Sequence, residues 1–275
     1  MQSNSYDPVL DSNITPQKKR EYWDVAFGLQ EVDNLKPSRY LRELAEEHVE
    51  GKKTYYEVSD ALDNYYTEVG QNKNTDEGEA DSVSKAIYEI LSDEAFSFDV
   101  LTYKNYHKKL FEGLNPELFH PGEFRTTNIT KKEAILGGDT VQYQPFFQIE
   151  SALKFDFDEE RQKNYAAMTD AEKVQRITEF TSRIWQVHPF MEGNTRTTAV
   201  FIEKYLRNIG YNVENEPFEK KAKYFRNALV RANYSNAPKG ISRTNAFLVR
   251  FFENLLLGKQ NDLNNAELDT TKIAK

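Results

Sequence analysis

The chain of 275 residues contains no cysteine, which excludes disulfides, thiol nucleophiles and any zinc site built on thiolates. Histidine is scarce: His48, His107, His120 and His188 stand far apart along the sequence, so a metal held by histidines alone is not expected. Long apolar runs are missing, since no stretch approaches the roughly 20 residues that span a bilayer. The N-terminal "MQSNSYDPVLDSNITPQ" has neither the basic start nor the apolar stretch of a secretory signal. A cytoplasmic protein with no membrane attachment is therefore expected. A basic excess is absent as well, with a formal net charge of −8, which argues against general affinity for nucleic acid or for an anionic membrane.

Aromatic residues are what the chain has in quantity. Its 18 Phe and 16 Tyr, in a sequence that is 39% hydrophobic, can fill a sizeable core. The pattern is mostly helical. Thr15-Pro16 reads as a helix cap followed by Pro at the first helical position, opening a segment that runs to about Val32. "SRYLRELAEEHVEG" places Leu41, Leu44, Ala45 and Val49 on one face and stops at Gly51. Thr54 and Glu57 form a capping-box pattern for a third helix through about Tyr66. The stretch "GQNKNTDEGEADS", residues 70 to 82, is acidic, lacks large apolar side chains and reads as a solvated linker. The expected organisation is an N-terminal helical segment (1–69), an acidic linker (70–83), a larger unit (84–257) and a polar tail (258–275).

Within the larger unit, "AILGGDTVQYQP" carries Ile135-Leu136 and Thr140 to Tyr143 on either side of Gly137-Gly138-Asp139. This spacing predicts a β-hairpin, either a plain turn or a flap that touches substrate. Thr169 and Glu172 form another capping box, starting a helix with Val174, Ile177, Phe180, Ile184 and Val187 on its apolar side. That helix ends at His188-Pro189, and the next begins near Asn194 or Thr195. The fold class is all-α with one small β-hairpin.

Between those two helices lies "HPFMEGNTR". His, Glu, Asn and Arg each cost free energy when buried without partners, and an ordinary core segment does not collect them. "EGNTR" sits at a helix N-terminus, where unpaired backbone N–H groups favour an anion. Gly193 permits close backbone approach, Asn194 can cap the helix, and the guanidinium of Arg196 can reach the same anion, bidentately if it is phosphate. Glu192 beside an anion is counterproductive unless a divalent cation lies between, an arrangement that suits Mg²⁺. His188, on the lip of the loop, is placed to be a general base toward an incoming hydroxyl. Taken one at a time, these residues read as core packing or a cap; the ordered set reads as a site.

The stretch resembles the Fic family signature, His-x-Phe-x-Asp/Glu-Gly-Asn-Gly/Lys-Arg-x-x-Arg, at His188, Phe190, Glu192, Gly193, Asn194 and Arg196. It departs at Thr195, where Gly or Lys is usual, and at Ala199, where a second arginine is usual. "FRTTNITKKEAILGGDTVQYQP" is similar to the family's flap, and "YFRNALVRANYS", from Tyr224, to the helix behind the nucleotide base. The resemblance, over about residues 84 to 255, implies transfer of a nucleoside monophosphate, usually AMP from ATP, to a hydroxyl of a target protein. It makes His188 the base and Glu192 the holder of Mg²⁺ on the phosphates. Gly193, Asn194 and Thr195 then cradle the phosphates, Arg196 steadies the leaving pyrophosphate and Phe190 anchors the loop. Gly137, Gly138, Asp139, Thr140 and Val141 would hold the target chain by strand addition. Two alternatives stay open: a different nucleotide or phospho-group, because Ala199 removes a phosphate contact, and a binding module without catalysis, against which the His188 and Glu192 pair speaks. The partners implied are a nucleotide and a target protein, and a homo-oligomer is left open.

The N-terminal helices resemble the family's inhibitory module, whose motif is Ser/Thr-x-x-x-Glu-Gly/Asn. The best match is "LQEVDN", with Leu29 at the hydroxyl position, Asp33 at the glutamate and Asn34 fitting. With alanine at 199, Asp33 is expected to turn to solvent or to a different donor, and this segment either inhibits or merely braces the larger unit.

Overall fold

The computed structural model describes residues 14–68, 72–213 and 216–272. Among them the regular structure is helical: α1 (Pro16–Gly28), α2 (Arg39–Val49), α3 (Tyr55–Glu68), α4 (Asp76–Ser92), α5 (Val100–Phe111), α6 (Pro116–Phe119), α7 (Ile149–Arg161), α8 (Asp170–Val187), α9 (Asn194–Asn208), α10 (Glu216–Ala232) and α11 (Ala246–Leu257), with short 3₁₀ turns between some of them. None of the described helices is long and apolar enough to cross a membrane.

Local chemistry sets most of the boundaries. Thr15 accepts from Lys18 N with Pro16 at the first position of α1, Ser38 caps α2, and the Thr54/Glu57 pair bonds reciprocally at the start of α3. The full capping box of Thr169 and Glu172 opens α8. The first helix stops at Gly28 and continues only as a 3₁₀ turn, Leu29–Asp33, closed by Asn34 in the left-handed region.

Two expectations are corrected. The acidic stretch is helix rather than linker from Asp76 onward: Thr75 accepts from Gly78 N, and Asp76, Glu77 and Glu79 occupy the first turn of α4, where carboxylates complement the positive end of the helix dipole. Residues 69–71 lie outside the described residues. No β-hairpin forms at residues 135–143. Ala134–Leu136 is a 3₁₀ turn capped by left-handed Gly137, closed by Gly138 N donating to Glu133 O and Glu133 N donating to Asp139 O. The glycines serve a local turn that buries Leu136, and residues 139–145 beyond it form neither helix nor strand. Among the described residues the only ladder contact is an isolated bridge, Asn236 to Ile241.

The core runs through both parts of the chain. Trp23 of α1 is 1% exposed, stacks on Tyr88 of α4 at 4.5 Å and donates from Nε1 to His48 Nδ1 at 3.0 Å. A Cβ on Gly28 would come within 2.2 Å of Glu219 O, so α1 crosses α10 at backbone contact. At the centre of the larger unit Phe157, Phe180, Phe190 and Phe201 are enclosed, and α8 and α9 present the connecting loop from this rigid base.

Candidate active site

The loop His188 to Gly193 is held by its own residues. His188 ends α8 in the left-handed region at φ 49, its N–H returning to Trp185 O. Gly193, at φ 74, precedes α9, and a Cβ there would lie 2.1 Å from Phe111 Cζ, so only glycine fits. Asn194 closes the loop rather than capping the helix: its Oδ1 accepts from Phe190 N at 2.9 Å and its Nδ2 donates to Phe190 O at 2.8 Å. No side chain caps α9, which leaves its first backbone N–H groups for an anion. Phe190 is fully buried and stacks at 3.7 Å on His107. Gly122 N donates to His107 Nδ1, so Nε2 carries the proton and donates to Glu192 O at 3.1 Å.

His188 is 4% exposed, with Tyr143 stacked on it at 4.0 Å and Trp185 edge-on at 5.3 Å. Burial, then the nearby cations Lys131, Arg125 and Arg226, hold its pKa well below the ordinary histidine value, so the ring is neutral near pH 7. Nδ1 faces Trp185 O at 3.3 Å; with the proton on that nitrogen, Nε2 keeps the lone pair a general base needs. Arg125 fixes the loop from outside. Its Nε donates to His188 O at 2.8 Å, Nη1 to Thr127 O, and Nη2 to Gln144 O and Val187 O.

Glu192 is partly exposed and its Oε2 lies 2.7 Å from Lys131 Nζ. One carboxylate here, beside an open helix N-terminus, suits a divalent cation shared with phosphate oxygens. Among the described residues no cluster of three or more His, Cys, Asp or Glu side chains could hold a metal by itself. Arg196, 2% exposed, is engaged on three sides: Nη2 to Glu79 Oε1 at 2.6 Å, Nη1 to Gln30 Oε1 at 3.1 Å, and Nε 3.0 Å from Asp33 Oδ2. That last contact is an ion pair out of line for a hydrogen bond. Its plane lies 5.0 Å over the Phe111 ring. Asp33 therefore meets a different donor, Arg196, while Ala199 is fully buried. Thr195 Oγ1 accepts from Trp185 Nε1 at 3.0 Å.

The fold thus gathers His188, Glu192, Gly193, Asn194, Thr195, Arg196 and Asp33, while Asn34 lies to one side, its Oδ1 accepting from Lys223 Nζ at 2.8 Å. Tyr224 is 1% exposed and its hydroxyl donates to Phe247 O at 3.2 Å, against α11. In the turn segment Gly138 has open space around it, Asp139 is tied down by Tyr234 at 2.6 Å and Asn236 at 3.2 Å, and Val141 is buried. Thr140 Oγ1 donates to Val141 O. Sequence reasoning missed Arg125, Lys131, Tyr143, His107, Gln30 and Glu79. Each is an ordinary residue in its own stretch, and only the two lysines in "NITKKE" beside a proposed flap gave a local hint.

Residues 97–206 match the Fic/DOC family. Over 179 residues the chain is 26% identical to the protein adenylyltransferase VbhT of Bartonella schoenbuchensis, an alignment that takes in 65% of this chain and 35% of that protein. The chain thus spans about a third of its relative's length. A Fic-domain-containing signaling protein of Bacteroides thetaiotaomicron aligns in structure over 92% of this chain and 91% of its own, at 12% identity and a TM-score of 0.44.

Proposed function

We propose that the chain, whose residues 97–206 match the Fic/DOC family, transfers AMP from ATP to a hydroxyl side chain of a target protein. The observation that carries the reading is the pairing of a buried neutral imidazole, His188, with the uncapped N-terminus of α9 across residues 189–193. A base and an anion cradle joined by one rigid loop are what attack on a phosphate requires. The similarity to a protein named adenylyltransferase points the same way.

In this mechanism the target's hydroxyl oxygen attacks the α-phosphorus, its proton passes to His188 Nε2, and the bond from that phosphorus to the bridging oxygen breaks to release pyrophosphate. The backbone N–H groups following Gly193 take the phosphate oxygens. Arg196 serves the leaving group once a phosphate replaces the carboxylates that hold it here. Glu192 would hold Mg²⁺, which supplies charge neutralisation to the phosphates when bound. Tyr143 and Arg125 keep the imidazole and its loop in place.

One observation favours a second reading. Ala199 offers no charge at the position where the family's second arginine stands, so a different nucleotide or phospho-compound is the alternative donor. Incubation of the protein with ATP labelled on the α-phosphate, and with the other nucleotides, in the presence of cell lysate separates the readings. Protein-bound label from ATP is expected, reduced by about 10² to 10⁴ in His188→Ala. Label from another nucleotide alone would replace AMP as the transferred group. No transfer from any of them would leave a binding module.

A further inference from the structure

The segment Arg125 to Glu133 is pinned at both ends. Arg125 N donates to Pro189 O and its side chain grips the backbone of the His188 loop. Glu133, 1% exposed, is held by Arg226 at 2.7 and 3.1 Å. Between these anchors Lys131 presents its ammonium to Glu192 Oε2 at 2.7 Å, the ion pair that the described residues give it. A divalent cation held by Glu192 would compete with the ammonium for the same carboxylate, and the two positive charges would repel. One has to yield. The pinned backbone keeps Lys131 close after displacement, within reach of an anion bridged to the same carboxylate.

We propose that Lys131 is a built-in stand-in for the divalent cation. It neutralises Glu192 when no metal is bound, so that phosphate can approach a carboxylate that would otherwise repel it, and it hands that carboxylate over when the metal arrives with the nucleotide. This rests on the reading of Glu192 as the metal-holding residue. A surface ion pair without this role would leave the metal dependence of binding alone.

The test is the gain in ATP affinity on adding Mg²⁺, measured by calorimetry on the wild type, Lys131→Gln, Lys131→Arg and Glu192→Gln, first with chelator and then with Mg²⁺. In Lys131→Gln, ATP binding without metal weakens and the Mg²⁺ gain widens, each by about threefold or more, the scale of a partly exposed ion pair. Lys131→Arg restores the wild-type gain, and Glu192→Gln abolishes it. A gain unchanged in Lys131→Gln but lost in Glu192→Gln overturns the stand-in role and leaves the metal assignment intact. A gain unchanged in both overturns the metal assignment, and no ATP binding by the wild type overturns the nucleotide reading and this proposal with it.

Discussion

One methyl group at position 193 would meet two obstacles at once. Gly193 has a φ of 74, a conformation costly for any side chain with a Cβ, and the added carbon would lie 2.1 Å from the Phe111 ring. Gly193→Ala should therefore destabilise the protein by about 2–4 kcal/mol, read from urea unfolding. Removing the ring relieves the clash, so Gly193→Ala combined with Phe111→Ala should cost less than the sum of the two single changes. Additive costs would mean that the methyl group and the ring do not meet. At this scale the sequence was legible where the chemistry is contiguous, from His188 to Arg196. Arg125 and Tyr143 act on His188 from distant stretches, and nothing in "FRTTN" or "VQYQ" distinguishes them from an ordinary basic or aromatic residue. Asn194 was read as a cap because Asn at a helix start usually is one; its clasp on Phe190 depends on how the loop turns back. Tyr224 was assigned by resemblance alone, and its helix turns that ring toward α11.

Elements with reciprocal caps were the readable ones, as α3 and α8 show, because a capping box encodes its own start. The start of α4 carries no apolar signal of a helix, since the residues it buries there, Gly78 and Ala80, are small where a large apolar side chain would have announced one. The first turn matters, because its Glu79 reaches Arg196 at 2.6 Å. Together with Asp33 and Gln30 from the turn after α1, it fills the guanidinium that the proposed mechanism gives to phosphate. Asp33→Ala alone leaves Glu79 and Gln30 in place, and transfer should change less than about threefold, under 1 kcal/mol in barrier terms. Glu79→Gln removes the closest carboxylate. ATP should bind several-fold more tightly, while stability falls by about 1–3 kcal/mol because a nearly buried guanidinium loses its shortest ion pair. Calorimetry and urea unfolding on the same sample check both halves. Lower stability with unchanged ATP affinity would show that Arg196 is a structural cation and does not meet the phosphates.

Over the whole molecule, α1 is wedged between α4 and α10, with the Trp23–Tyr88 stack on one side and the Gly28–Glu219 contact on the other, so unfolding should draw on both parts of the chain. Its pH dependence follows from groups that the fold keeps neutral. Burial lowers the pKa of His107 to about 3 and holds His188 well below the usual value, whereas an unfolded histidine titrates near 6.5. Below pH 6.5 the unfolded chain therefore binds protons that the native state refuses, and stability drops as pH falls. By pH 5 His107 alone removes about 2 kcal/mol, and His188 acts in the same direction. Asp156 works in the opposite direction. Desolvation raises it to about 6, so the native state takes up a proton there before the unfolded chain does, restoring about 1 kcal/mol by pH 5. Glu159, lowered to about 2 by its bond to Arg183, keeps its charge throughout this window. With both histidines on one side and Asp156 on the other, the protein should be less stable at pH 5 than at pH 7.5, measured by urea unfolding at the two values. His107→Gln supplies the internal control: the amide can still accept from Gly122 N and donate to Glu192 O, but it cannot titrate. The variant should narrow the gap between the two pH values by about 2 kcal/mol whatever its own starting stability. A gap as wide as in the wild type would mean that His107 takes up its proton in the native state as readily as in the unfolded one.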